Sequence, residues 1–255
     1  MFKISELFCW CGEPLVINDK ISVQQPTIRE IILNDEESYF STVNTLCSTS
    51  SNMKYYFFTM GLDWEKVDDW EVAMFIWPTF TQDKTKLVFG DLDLTKFKIF
   101  ENRQNGNKVL RDPTTETIID EAIYLRIVEY LRKVHGLTRA CDKASTPFAH
   151  EMAIEMDKEE IEKSKNKEHK SFLYPMISAL KGRQGYTKQQ ILDMQMYEMT
   201  DEIGRLQIIV QADATINGMH CGMVDAKKIK KEHYDWMREI KYGKASGQEL
   251  QTGTF

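Results

Sequence analysis

A chain of 255 residues with 42% apolar and 11% aromatic side chains can build a substantial hydrophobic core, which excludes an intrinsically disordered protein. The formal net charge of −6 at pH 7 does not favour a general nucleic-acid-binding protein, because such proteins carry a strongly basic face. No run of about eighteen apolar residues occurs, so we expect no membrane span. Five scattered cysteines predict reduced thiols, and a start without a secretory or transit signal predicts synthesis in the cytosol.

Short strand and helix signals alternate in the first third of the chain. Residues 14–24 predict a small hairpin that turns at Asn18-Asp19. Thr27 and Glu30 have the spacing of a capping box, so a helix is expected to start there. Further helices are predicted at residues 35–47, 51–60 and 70–77.

A change of hydrophobic period after residue 85 predicts a small antiparallel sheet at residues 86–111. We expect a short strand at 86–89 and an alternating strand at 97–100, with a tight turn at Asn105-Gly106 before the chain returns. A strong helix is then expected to start at Thr117 and Asp120 and to end at Gly136.

A highly charged segment follows at residues 157–170. Glu159 and Lys163 are four residues apart, which favours a solvated helix, and a disordered linker is the alternative. A short apolar helix is predicted from Phe172 to Leu180.

The C-terminal third predicts one long amphipathic helix that starts at Thr187. Its apolar residues recur at spacings of four and three, which is typical of a seam that packs against another helix. The seam comprises Leu192, Met196, Met199, Ile203, Leu206 and Val210. Gly218 and Gly222 mark a turn, and Asp225 is expected to cap a short basic helix that continues to Ile240.

These elements predict an α+β fold that is predominantly α-helical, with a small antiparallel sheet and a helical C-terminal half. We expect a mixed helical domain at residues 1–150, a charged helix or linker at 151–170, a helical C-terminal domain at 171–242 and a flexible tail at 243–255.

Two motifs could carry metal chemistry, and both have a simpler interpretation. Cys9 and Cys11 could hold zinc only with further ligands at irregular spacings, so packing thiols are favoured. Asp91 and Asp93 could chelate a divalent cation, but they also fit a turn before the next strand. His135 lies at a predicted helix end, where a cation suits the helix dipole. We therefore expect no catalytic residue, no metal and no cofactor.

One basic patch stands out near the C-terminus. It consists of Lys227, Lys228, Lys230 and Lys231, and Trp236 follows. Lysines and aromatic rings could contact nucleic acid. The favoured alternatives are a solvated helix face with Trp236 docked on the core, or a patch for an acidic partner.

Several segments resemble a family of late-gene products of tailed phages of Gram-positive bacteria. The resemblance is carried by residues 23–31, 53–65, 90–97, 124–133 and 218–238. In the last of these, His220-Cys221-Gly222 stands where the family usually has Tyr-Ser-Gly. The resemblance covers most of residues 20–240 and implies a role in virion morphogenesis, as a tail assembly chaperone-like protein or as a minor tail or neck component.

The expected mode of action is binding to another protein. The resemblance implies location in the host cytoplasm or incorporation in the virion, with a phage structural or tape-measure protein as partner. A homo-oligomer is left open. The predicted partner contacts are the seam residues from Leu192 to Val210 together with Trp236.

Overall fold

The computed structural model describes residues 4–101, 106–164, 170–223, 225 and 227–240, and it confirms a mainly helical α+β fold. Within these residues the helices are α1 (Glu6–Trp10), α2 (Ile28–Leu33), α3 (Glu36–Leu46), α4 (Lys54–Thr59), α5 (Asp69–Ile76), α6 (Gln82–Phe89), α7 (Glu121–His135), α8 (Pro147–Ser164), α9 (Leu173–Ala179), α10 (Lys188–Asp193) and α11 (Met196–His220). The strands are β1 (Leu15–Asn18), β2 (Ile21–Val23), β3 (Lys98–Glu101), β4 (Lys108–Arg111) and β5 (Ile118–Ile119).

The hairpin and the capping box near the N-terminus form as predicted. Strands β1 and β2 pair antiparallel, with Leu15 opposite Val23. The side chain of Asn18 closes the turn by accepting backbone N–H bonds. At the start of α2, Thr27 accepts the N–H of Glu30, and the Glu30 carboxylate accepts the N–H of Thr27 at 2.8 Å. Both features are local, so sequence spacing is enough to predict them.

The predicted strand at 86–89 is wrong, because these residues form the second half of α6. Thr85, Val88 and Phe89 are buried and lie on one helical face. A four-residue apolar run does not distinguish a strand from a buried helix turn. The sheet therefore starts later than predicted, at Lys98, and the order of its strands is β3-β4-β5.

Strand β5 lies where α7 was predicted to start, so the helix begins after it. Ile118 and Ile119 pair with β4, where Leu110 lies opposite Ile119. Asp120 is the N-cap of α7, and Gly136 ends the helix in the left-handed conformation at φ 64°, as predicted. The predicted turn residue Asn105 lies outside the described residues.

The main hydrophobic core surrounds α7 and takes buried side chains from both halves of the chain. Trp77 lies within it, and its indole N–H donates to the carbonyl of Leu46 at 3.2 Å. Ile191, Met196 and Met199 from the C-terminal helices belong to the same cluster. A second, smaller cluster holds α8 against α4 through Ile154.

The charged segment is a solvated helix through Ser164, which confirms the favoured interpretation for that part. It forms the second half of α8, and the predicted helix or linker at 165–169 lies outside the described residues. The inner face of α8 buries Ile154, and the Asp157 carboxylate accepts the backbone N–H of Tyr55 at 2.8 Å.

The predicted continuous helix from Thr187 is wrong, because the chain breaks at Met194 and Gln195. Both residues are extended, with ψ of 144° and 163°. Backbone hydrogen bonds to the start of α2 stabilise this extended conformation. The Ile28 N–H donates to the carbonyl of Met194 at 2.9 Å, and the Met196 N–H donates to the carbonyl of Pro26 at 3.3 Å. Tertiary hydrogen bonds thus override the helical period.

A buried side chain, Gln25, caps the second helix at this break. Gln195 makes no side-chain cap for α11. Instead the amide oxygen of Gln25 accepts the N–H of Tyr197 at 2.8 Å, and its amide N–H donates to Cys9 at 2.9 Å. The Gln195 side chain donates to the carbonyl of Gly12 at 3.0 Å. It also occupies the space that a Cβ atom on residue 12 would need, so glycine fits this position.

The predicted basic helix at 225–240 is also wrong. Helix α11 continues through Gly218 to His220, and within the described residues that follow, the helical structure is the short 3₁₀ turn Lys231–His233. Lysines three and four residues apart would repel one another on a helix, which disfavours one here. Arg205 of α11 donates to the carbonyls of Trp236 and Arg238, so this segment lies along α11. The predicted tail at 243–255 lies outside the described residues.

His135 is buried and neutral, which corrects the expectation of a cation at the helix end. Its Nδ1 lies 2.8 Å from the carbonyl of Leu131, and because a carbonyl only accepts, Nδ1 carries the proton. Its Nε2 therefore accepts the hydroxyl of Tyr39 at 2.7 Å. Burial lowers the pKa of His135 to about 4.

Replacement of Gln25 by alanine tests the cap at the helix break. We expect a loss of about 2 kcal/mol in the free energy of unfolding, because the buried N–H of Tyr197 loses its acceptor. Gln24→Ala is the matched control: this side chain is less buried and bonds to Ser22, so its replacement should cost under about 0.5 kcal/mol. Urea denaturation measures both, and equal losses would contradict the role given to Gln25.

The buried neutral His135 predicts a pH dependence of stability. An unfolded histidine binds a proton near pH 6.5, whereas His135 in the folded state does so at about 4. Stability is therefore fully present above pH 6.5 and falls as the pH drops towards 4, by at most about 3 kcal/mol.

Unfolding measured from pH 7 to pH 4 should show a shallower loss for His135→Gln than for the wild-type chain. The exposed His233→Gln is the control and should keep the wild-type slope. Parallel curves for all three proteins would show that His135 does not titrate as proposed.

Candidate docking groove

An apolar groove of about 660 Å³ opens between α2, α9 and α10. Its apolar lining consists of Ile32, Leu33, Tyr174, Ile177, Ile191 and Leu192. Ile191 is buried at the floor, whereas Leu33 is 76% exposed and Tyr174 is 71% exposed. Large apolar side chains exposed together in a concave surface are typical of a site that another molecule covers.

Local interactions place α9 and α10 beside α2. The Glu36 carboxylate accepts the N–H of Leu173 at 2.7 Å and the hydroxyl of Ser171 at 2.7 Å, which fixes the start of α9. The chain then reverses at Gly185, whose φ of 73° lies in the left-handed region that favours glycine. Thr187 and Gln190 form the predicted capping box at the start of α10.

The rim of the groove is basic. Arg29, Lys181 and Lys188 lie along it. Arg29 is 3.2 Å from Asp193 in a partly exposed ion pair. Among the described residues no acidic side chain lies within ion-pair distance of Lys181 or Lys188, and both are exposed. The groove therefore combines an apolar floor with excess positive charge.

The residues of the predicted seam lie in different surroundings, so only some of them are available to a partner. Met196 and Met199 are fully buried in the core, and Ile203 packs against it. Leu206 is half-buried and Val210 is exposed. Leu192 is the seam residue that lines the groove.

Sequence reasoning missed the side of the groove that α2 supplies. Ile31, Ile32 and Leu33 form an apolar run, but the helix buries only Ile31 of the three. An excess of apolar residues at the end of a six-residue helix was the available signal. The sequence around Tyr174 gave no such signal, because an aromatic residue in a short apolar helix usually lies in the core.

The basic patch lies away from the groove, in the segment beside α11. Lys227, Lys228, Lys230 and Lys231 are all exposed. Lys228 is 4.0 Å from Asp225 and Lys230 is 3.9 Å from Glu232, and exposed pairs at these distances contribute little. Trp236 is 56% exposed, so the alternative in which it docks on the core is wrong, while its contact with a partner stays a prediction.

Within each of the two motifs considered for metal chemistry, the two residues have different surroundings in the structure. Cys9 is buried, and burial raises the pKa of its thiol to about 11, whereas Cys11 is exposed. Asp93 is the N-cap of a 3₁₀ turn, and the Thr95 hydroxyl donates to its carboxylate at 2.6 Å, which lowers the pKa of Asp93. Asp91 is exposed beside this turn, which confirms the turn interpretation.

An acidic and histidine cluster was not predicted. Ligand atoms of Asp63, Glu65 and His150 lie within 4.8 Å of one another. They already have protein partners: the Lys66 ammonium is 3.0 Å from Asp63, His150 Nε2 is 3.2 Å from Asp63, and Glu65 accepts the N–H of Ala144 at 2.6 Å. The arrangement ties the start of α8 to the turn at residues 63–66.

Residues 163–241 match the family model of the YomV second domain. This domain is phage-associated. The match covers less than half of the chain; it includes α9, α10 and α11, and α2 lies outside it. No curated protein and no solved structure matches the chain.

The match agrees with the phage part of the resemblance found in the sequence, while the tail and morphogenesis role stays a prediction. In the part of the chain that the structure describes, no helix has both the length and the apolar character needed to cross a bilayer.

Proposed function

We propose that this phage-associated protein acts by binding another protein chain during virion morphogenesis, as a tail assembly chaperone-like protein. The observation that supports the proposal is the groove, because its exposed apolar side chains and basic rim suit a protein segment. A minor tail or neck component is the alternative within the same mode of action.

The groove favours an amphipathic helix as its occupant. Covering apolar surface contributes about 25 cal/mol per Å², so burying side chains as exposed as Leu33 and Tyr174 would stabilise a complex. Helices dock in such grooves through apolar residues at i, i+3, i+4 and i+7. The lysines of the rim add a preference for a helix whose flanks are acidic.

The phage-associated match suggests where such a helix comes from. Phage structural and tape-measure proteins are the partners that the sequence resemblance implies, and long helical proteins offer amphipathic faces. A chaperone-like protein would cover such a face until assembly and then leave it, whereas a tail or neck component would stay in the particle.

Affinity capture from phage-producing cells tests the proposal. We expect the tagged wild-type chain to recover a phage structural protein that mass spectrometry identifies. A chain with Leu33→Asp and Tyr174→Asp should recover at least about tenfold less, because two charges would be buried on docking. Leu7→Asp is the matched control, since Leu7 is equally exposed on α1 and does not line the groove.

Mass spectrometry of purified virions beside the same lysate separates the two roles. The chaperone-like role predicts the protein in the lysate and its absence from virions. Recovery in virions in a fixed ratio to tail proteins would favour the component role. Capture of no phage structural protein by the wild-type chain would overturn both.

A further inference from the structure

We infer that helix α8 of a second copy of this chain docks in the groove. The inference rests on the proposed function, because it names a second occupant for the same groove, one that the helix of a phage partner would displace. Its basis is an exposed apolar stripe on α8 made by Phe148, Met152 and Met156. These residues are four apart, so they follow one another along one face of the helix, over about 12 Å.

The stripe is free because α8 uses its other face to pack on its own chain. Ile154 and Asp157 point towards α4, where Ile154 is buried and Asp157 accepts a backbone N–H. Phe148 is 72% exposed and Met156 is 66% exposed. The groove is exposed in the same structure, so stripe and groove do not cover each other within one chain.

The charges beside the stripe complement the rim of the groove. Glu151, Glu155 and Glu159 are exposed and also four residues apart, so they form an acidic row next to the stripe. Glu155 lies 3.1 Å from Lys158 and Glu159 lies 2.8 Å from Lys163. Exposed ion pairs within one helix are weak, so these glutamates can pair with lysines of a partner chain instead.

The rim offers the matching cations. Lys181 and Lys188 are exposed and, among the described residues, lie beyond ion-pair distance of any carboxylate, while Arg29 has Asp193 as its partner. An acidic helix with an apolar stripe therefore satisfies both properties of the groove at once. The apolar contact supplies affinity, and the charge row sets the direction in which α8 lies.

This contact joins two different surfaces, so its geometry has consequences for assembly. Each of two copies can dock its α8 in the groove of the other, and the pair then closes as a dimer. If the two contacts do not close, each copy offers a free groove and a free α8, and longer assemblies grow. In both cases one chain with a damaged groove can still pair with a chain whose stripe is damaged.

Complementation between two variants tests the inference. The groove variant carries Leu33→Asp and Tyr174→Asp, and the stripe variant carries Phe148→Asp and Met156→Asp. Sedimentation velocity of the purified wild-type chain should show self-association that strengthens with concentration. Each variant alone should associate at least about tenfold more weakly, and an equimolar mixture should recover a two-copy species through its one intact contact.

A pair of charge-reversal variants provides a second test if an aspartate variant fails to fold. Lys181→Glu with Lys188→Glu changes only exposed side chains and should weaken self-association. Mixing this chain with one that carries Glu151→Lys and Glu155→Lys should restore it. Circular dichroism confirms folding, and Leu7→Asp is the control that should associate like the wild-type chain.

A wild-type chain that stays monomeric up to about 100 μM would overturn the inference. So would variants that associate as strongly as wild type, or mixtures that recover nothing. These outcomes are separate from the proposed function: if the chain is monomeric but the groove variant still loses a captured phage structural protein, the function stands and the second copy is not the occupant.

Discussion

The buried amide of Gln25 is the interaction on which the arrangement of the C-terminal half depends. It supplies the cap that Gln195 does not, by accepting the N–H of Tyr197, and it also donates to Cys9. A buried N–H without an acceptor would cost about 1–3 kcal/mol, so the cap stabilises the start of α11 at this position. Where α11 starts decides where α10 ends, and therefore how α10 lies against α2.

The groove follows from this break in the helix. Had α10 continued into α11 in one straight rod, the Ile191 and Leu192 side chains would lie on a seam along that rod. The bonds from Ile28 and Met196 to the opposite segment instead hold α10 against α2. The Glu36 carboxylate then sets α9 on the third side. The groove thus joins elements far apart in the chain, and the matched phage-associated domain supplies two of the three.

Local signals predicted the parts of the fold that local interactions determine. The capping boxes at Thr27 and Thr187 and the end of α7 at Gly136 each depend on residues within one helix turn. The predicted strand at 86–89 and the predicted unbroken helix were wrong for the opposite reason. Burial of Val88 and Phe89 in the core decides that residues 86–89 end a helix, and the helix break depends on bonds to Pro26, Ile28 and Gln25, which lie far away in the chain. The groove was not predicted, because the apolar run at the end of α2 shows only half of it, and the joint exposure of Leu33 and Tyr174 is a tertiary property.

In the assembly that we infer, the groove between α2, α9 and α10 takes the acidic apolar face of α8 from another copy. Hydrogen–deuterium exchange on the purified chain at low and high concentration tests it most directly, because docking slows exchange only where two chains meet. We expect concentration-dependent protection in α2, α8, α9 and α10 together, with α1 unchanged as the internal reference. Protection that is absent, or that appears elsewhere and leaves these helices unchanged, would contradict it.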